Sequence, residues 1–260
     1  MKPAMTDTGD KTKDITINLQ AANHENLEKL QPLRKPEVEL SLSLQLLTSE
    51  DWTKKVKGLC IIRAVAQHHP HTLIPTLYPV CTSVSDEVRN PRSTVAVAAI
   101  DTLRYLYVYL RKNMDALVER TGVCLLQRIA QSNANDFIQQ RVNMALQAMV
   151  QNCSSGRHLS VLNTGLNNLN RAVRTSAAQQ LHLLADMMGV NAIFEADESF
   201  THKFLTAVCK MCVDADPKVR SHGHDILRKM TVHKDLMMLF NGIMSDKYRW
   251  PMTKILRNTK

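Results

Sequence analysis

Five times along this chain a valine is followed four residues later by a residue that is mostly small, and four residues after that by an apolar one. The valines are Val56, Val95, Val142, Val173 and Val219. Cys60, Ala99, Leu146, Ala177 and Gly223 stand at the second position, and Ala64, Leu103, Val150, Leu181 and Leu227 at the third. Residues four and eight apart share one face of an α-helix, so each triplet is one stripe that a helix must bury. Any single amphipathic helix can match such a stripe by chance. Five matches at intervals of 31 to 47 residues are the mark of helical hairpins stacked side by side, as in HEAT and armadillo repeats. The chain is therefore expected to be all-α, an α-solenoid of about six hairpins.

The rest of the sequence agrees with that restriction. Amphipathic helical runs are predicted near 37–48, 52–69, 72–87, 92–111, 114–132, 136–151, 157–168, 170–188, 199–213, 217–231, 234–245 and 248–258, joined by short loops. Eight Gly, nine Pro and only 5% aromatic residues leave Leu, Ala, Val and Met as the main apolar surface, which favours helices over sheets. Residues 1–35 are polar, unpatterned and closed by two prolines. They read as a flexible leader with one short helix at 22–31, ahead of a domain spanning 36–260.

In a solenoid the turns inside successive hairpins fall along one edge. Ahead of the five valines the sequence reads SEDWTKK, VRNPRST, NDFIQQR, NLNRA and DADPK. Lys54, Lys55, Arg89, Arg92, Arg141, Arg171, Arg174, Lys218 and Arg220 are thereby predicted at or beside the turns. Asn90, Asn135, Asn168, Asn170, Asp214 and Asp216 supply turn and capping oxygens. One lysine or arginine is ordinarily a solvated surface charge, but cations at five successive turns make a stripe suited to a long acidic surface. Trp52, in the first turn, has two readings: packing on the preceding helix, or an outward aromatic at the end of that stripe.

Other chemistry finds little support. The formal net charge of +9 favours an acidic partner without choosing its class. The six cysteines are scattered through apolar stretches, as expected of a reducing compartment rather than a disulfide scaffold. Cys209-x-x-Cys212 has no second pair, and with His202, His222 and His224 as the nearest other ligands it reads as two lightly exposed or buried thiols. His68, His69 and His71 read as solvated loop histidines. Phosphate-cradling, nucleophile-elbow and metalloprotease motifs are absent. No enzyme activity, cofactor, metal site or membrane span is expected, and nucleic-acid binding lacks aromatic residues interleaved in the basic stripe.

The segments EDWTKKVKGLCIIRAVAQHHP, EVRNPRSTVAVAAIDTLRYLYVYLRKNMD and SNANDFIQQRVNMALQAMVQN resemble TOG domains, and among them those of the crescerin family of axonemal microtubule regulators, over about residues 36–260. The chain is expected to be a cytosolic monomer, and the resemblance implies a non-enzymatic module of the cytoskeleton and cilium. Its turn edge would bind αβ-tubulin or microtubules. It implies Trp52 as the aromatic contact of the first turn, with Lys54 and Lys55 beside it. Arg92 would serve the second turn, Arg141 the third, Asn170, Arg171 and Arg174 the fourth, and Lys218 and Arg220 the fifth. Asp136 in the third turn and Thr94 in the second depart from a basic pattern. The other reading of the same residues is a HEAT adaptor that takes an acidic protein or peptide on its concave face.

Overall fold

The computed structural model describes residues 27–132, 135–234 and Leu236. Among them every regular element is helical: α1 (Pro36–Leu47), α2 (Trp52–His68), α3 (Pro70–Leu73), α4 (Leu77–Val88), α5 (Ser93–Leu110), α6 (Val118–Gln131), α7 (Asp136–Asn152), α8 (Ser155–Leu166), α9 (Arg171–Met188), α10 (Val190–Glu195), α11 (Glu198–Cys212) and α12 (Pro217–Met230). Short 3-10 turns at Ile74–Thr76 and Arg111–Met114 break two of the linkers. Five hairpins result, α1/α2, α4/α5, α6/α7, α8/α9 and α11/α12. The second helix of each packs on the second helix of the next. The sixth hairpin, expected at 234–258, lies outside the described residues except for Lys234 and the buried Leu236.

The valine stripe is the seam of this stack. Val95, Ala99 and Leu103 are fully buried, as are Val142, Leu146, Val173, Ala177, Leu181, Val219 and Leu227. Only Val56 and Cys60, in the end repeat, are partly exposed. Small residues let neighbouring helices approach closely. A Cβ added at Gly223 would stand 2.8 Å from the backbone N of Cys212 and 2.8 Å from Cβ of Met211. Two buried hydroxyls inside the stack are paired, as burial without a partner is costly. Tyr107 donates to Thr121 Oγ1 at 2.7 Å, and Thr102 Oγ1 donates to the Ala98 carbonyl at 2.8 Å.

Local chemistry shifts several predicted boundaries. The run expected at 72–87 is divided at Pro75, which has no backbone N–H to donate, leaving α3, a 3-10 turn and α4. The helix expected from 114 starts at Val118, and the unpredicted α10 follows Gly189, which adopts φ +75°. Of the helix expected at 22–31, the described part, from Leu27, is not helical. It is instead fastened to the first two repeats. Leu27 is buried, the Leu30 N–H donates to Gln67 Oε1 at 3.0 Å, and Tyr105 Oη donates to the Glu28 carbonyl at 2.8 Å.

Candidate functional site

Among the described residues, four intra-hairpin turns are built the same way. A side-chain oxygen accepts the backbone N–H two residues on: Ser49 from Asp51 at 3.2 Å, Asn90 from Arg92 at 2.9 Å, Asn168 from Asn170 at 2.8 Å and Asp214 from Asp216 at 2.8 Å. This local bond turns the chain sharply. The residue that donates is then the N-cap of the second helix. Asp51 accepts from Thr53 N at 2.9 Å, Asn170 from Ala172 N at 2.8 Å and Asp216 from Lys218 N at 2.8 Å. Arg92 caps α5 with no side-chain bond. The third turn has its N-cap at Asn135, whose Oδ1 accepts from Ile138 N at 3.2 Å.

Counting from these caps places each predicted site residue. Trp52 is the first residue of α2 and is 38% exposed. The Arg92 guanidinium lies 5.1 Å from the centroid of its ring, in cation–π range. The second turn therefore leans on the first. Lys54, Arg92, Arg171 and Lys218 are all exposed, and they are the cations that face solvent at the mouths of the helices. Arg171 keeps most of its surface open while its Nε contacts Asp216 Oδ2. Burial alone would raise the Asp216 carboxyl, but the Val219 and Lys218 N–H groups together with Arg171 carry it below the usual carboxylate range.

The other predicted residues are committed to the stack. Lys55, partly buried, pairs with Glu87 at the end of α4. Arg174 holds Asp214 with two N–H groups, at 2.9 and 3.2 Å, and gives Nη1 to the carbonyls of Asn168 and Leu169 at 3.2 and 2.9 Å. Arg220 repeats that pattern one turn later, donating to the carbonyls of Asp214 and Ala215 at 2.6 and 2.9 Å. Asn170 is spent as a cap. Arg141 stands beyond the turn, at the sixth residue of α7, 3.4 Å from Asp101 and 5.3 Å over the Phe137 ring. Burial pushes the Asp101 carboxyl up despite Arg141, Arg63 and Arg104 nearby.

Two residues on this edge were missed by counting charges. Phe137, second in α7, is 54% exposed, and Leu169, at the tip of the fourth turn, is 98% exposed. Their signal in the sequence is an apolar residue at a helix mouth, outside the buried stripe.

The cysteines and histidines singled out earlier sit elsewhere. Cys209 and Cys212 are buried free thiols, each pushed up to about 12 by burial. His222 faces His182, with Nδ1 atoms 3.0 Å apart, and His224 Nε2 lies 3.3 Å from the Cys212 carbonyl. Among the described residues no group of three or more His, Cys, Asp and Glu could hold a metal ion. None of their helices is long and apolar enough to cross a membrane.

A stack of HEAT-like hairpins is the architecture of a TOG-type solenoid. The TOG domain of Zyg9 from Caenorhabditis elegans shares this fold, with a TM-score of 0.62 over 100% of both chains at 14% identity. A family model described as CLASP N terminal matches residues 40–247, and the chain belongs to that family. It is 33% identical over 220 residues to the mouse TOG array regulator of axonemal microtubules protein 1, covering 84% of this chain and 12% of that protein. It is 40% identical over 141 residues to the human protein of that name, covering 54% of this chain and 8% of that protein. The chain thus spans a small part of the length of these crescerin-family relatives.

Proposed function

We propose that residues 36–260 form a non-enzymatic TOG module that binds αβ-tubulin through the intra-hairpin edge and takes part in regulating axonemal microtubules. The observation that carries this reading is the exposed Trp52–Arg92 stack with Lys54, Arg171 and Lys218 along the same edge. An aromatic anchor ringed by cations that steer an acidic partner is an effective interface design. The names of the mouse and human relatives, regulators of axonemal microtubules, agree with that partner and with a cytoskeletal, ciliary location. Lys55, Arg141, Arg174 and Arg220 act on binding indirectly, by fixing the turns. The module works as a monomer in the cytoplasm.

The test is size-exclusion chromatography with light scattering on mixtures with purified αβ-tubulin, at low salt. Wild type is expected to co-elute, and Trp52→Ala and Lys54→Glu to lose most of the complex. Equal binding by the variants removes Trp52 and Lys54 from the site. Absence of a wild-type complex removes tubulin as the partner.

A further inference from the structure

We infer that the edge carries a second, apolar anchor made by Phe137 and Leu169, which seats on apolar surface of the tubulin partner. This inference rests on the proposed binding to tubulin and adds residues that no charge pattern identifies.

Leu169 is almost wholly exposed, at 98%, and it is not on a loose loop. Its own carbonyl accepts from Arg174 Nη1 at 2.9 Å, the carbonyl before it accepts from the same atom at 3.2 Å, and the N–H after it is held by Asn168 Oδ1 at 2.8 Å. Arg174 is in turn clamped by Asp214. A large apolar side chain on a backbone fixed from both sides loses little freedom on binding, which is the condition for an effective anchor. The equivalent residues in the other turns of this design are Glu50, Pro91 and Ala215, so the turn geometry itself does not call for leucine.

Phe137 is presented in a similar way from the neighbouring turn. Its ring is half exposed, and the Arg141 guanidinium that stacks on it is held by Asp101. Each aromatic of the edge therefore has an arginine against its ring, Arg92 for Trp52 and Arg141 for Phe137. A partner matched only to charge would leave Phe137 and Leu169 against polar surface, at a cost in desolvation. The partner surface that fits offers apolar recesses as well as carboxylates.

The experiment measures tubulin affinity by fluorescence for wild type, the double variant Phe137→Ser/Leu169→Ser, and Lys54→Glu, each at low and high salt. The double variant is expected to lose affinity by about tenfold or more, and the loss is expected to persist at high salt. The Lys54→Glu loss is expected to shrink as salt screens exposed charge. Thermal melts confirm that the double variant folds, since both side chains are largely in solvent. If wild type binds and the double variant binds within about twofold, the anchor is overturned while the tubulin reading stands. If the double-variant loss fades with salt as the Lys54 loss does, the apolar character is overturned. If wild type does not bind at low salt, the tubulin reading falls and the anchor with it.

Discussion

The Arg92 guanidinium lies 5.1 Å from the centre of the Trp52 ring, joining the first two turns of the edge into one surface element. One face of the indole is therefore occupied by a cation, and the remaining exposed part is what a partner meets. Exposed cation–π contacts contribute about 0.5–1 kcal/mol. In a double-mutant cycle on folding stability, Trp52→Ala and Arg92→Ala are expected to couple by that amount. Urea unfolding of the four proteins measures it, and strictly additive effects would show that the stack does not form in solution.

Cations of the same edge are expected to separate by role. Arg174→Ala leaves Asp214 without its bidentate partner and releases two turn carbonyls, a loss on the order of 2–4 kcal/mol. Lys54→Ala removes an exposed charge and is expected to change stability by less than about 0.5 kcal/mol. Thermal unfolding of the pair distinguishes them. A similar melting temperature for both would refute the division between stapling and solvent-facing cations.

Acid sensitivity follows from His158, which burial pushes down to about 4 from the ordinary 6.5. As pH falls through that window the unfolded chain takes up a proton that the folded chain refuses. The contribution is therefore complete above 6.5, declines as pH drops, and is exhausted below about 4. At about 1.4 kcal/mol per pH unit, the loss is roughly 3 kcal/mol. His182 and His222 are also lowered by burial and act in the same direction. His158→Leu is expected to flatten only part of the acid slope in urea midpoints measured from neutral to mildly acid pH. An unchanged slope would mean that His158 is not buried as a neutral ring.

Gly223→Ala tests the closeness of α11 and α12. The added Cβ would stand 2.8 Å from the Cys212 backbone N, and backbone cannot rotate aside as a side chain can. Destabilisation of about 1–3 kcal/mol is expected, whereas alanine is ordinarily better than glycine inside a helix. A more stable variant would contradict the packing.

Periodicity made the buried face legible, because it records which side of a helix leaves water. It did not fix where each helix begins. Val95, Val173 and Val219 are each third in their helices, but Val56 is fifth and Val142 seventh. Arg141, placed by its distance from Val142, consequently falls outside its turn. The ion pairs were hidden for another reason: Glu87, Asp101 and Asp214 lie 32 and 40 residues from the cations they hold, and a one-dimensional pattern has no record of such neighbours. Phe137 and Leu169 escaped because an exposed apolar residue contradicts the rule by which helices are found.

The shared turn design separates two demands on the sequence. In each of the four turns the bonds run between the first and third residues, so the middle side chain, at Glu50, Pro91, Leu169 or Ala215, is not used to make the bend. Those four positions can change identity at little cost to the scaffold. A chain built this way can be retargeted, by selection or by a protein engineer, one turn at a time.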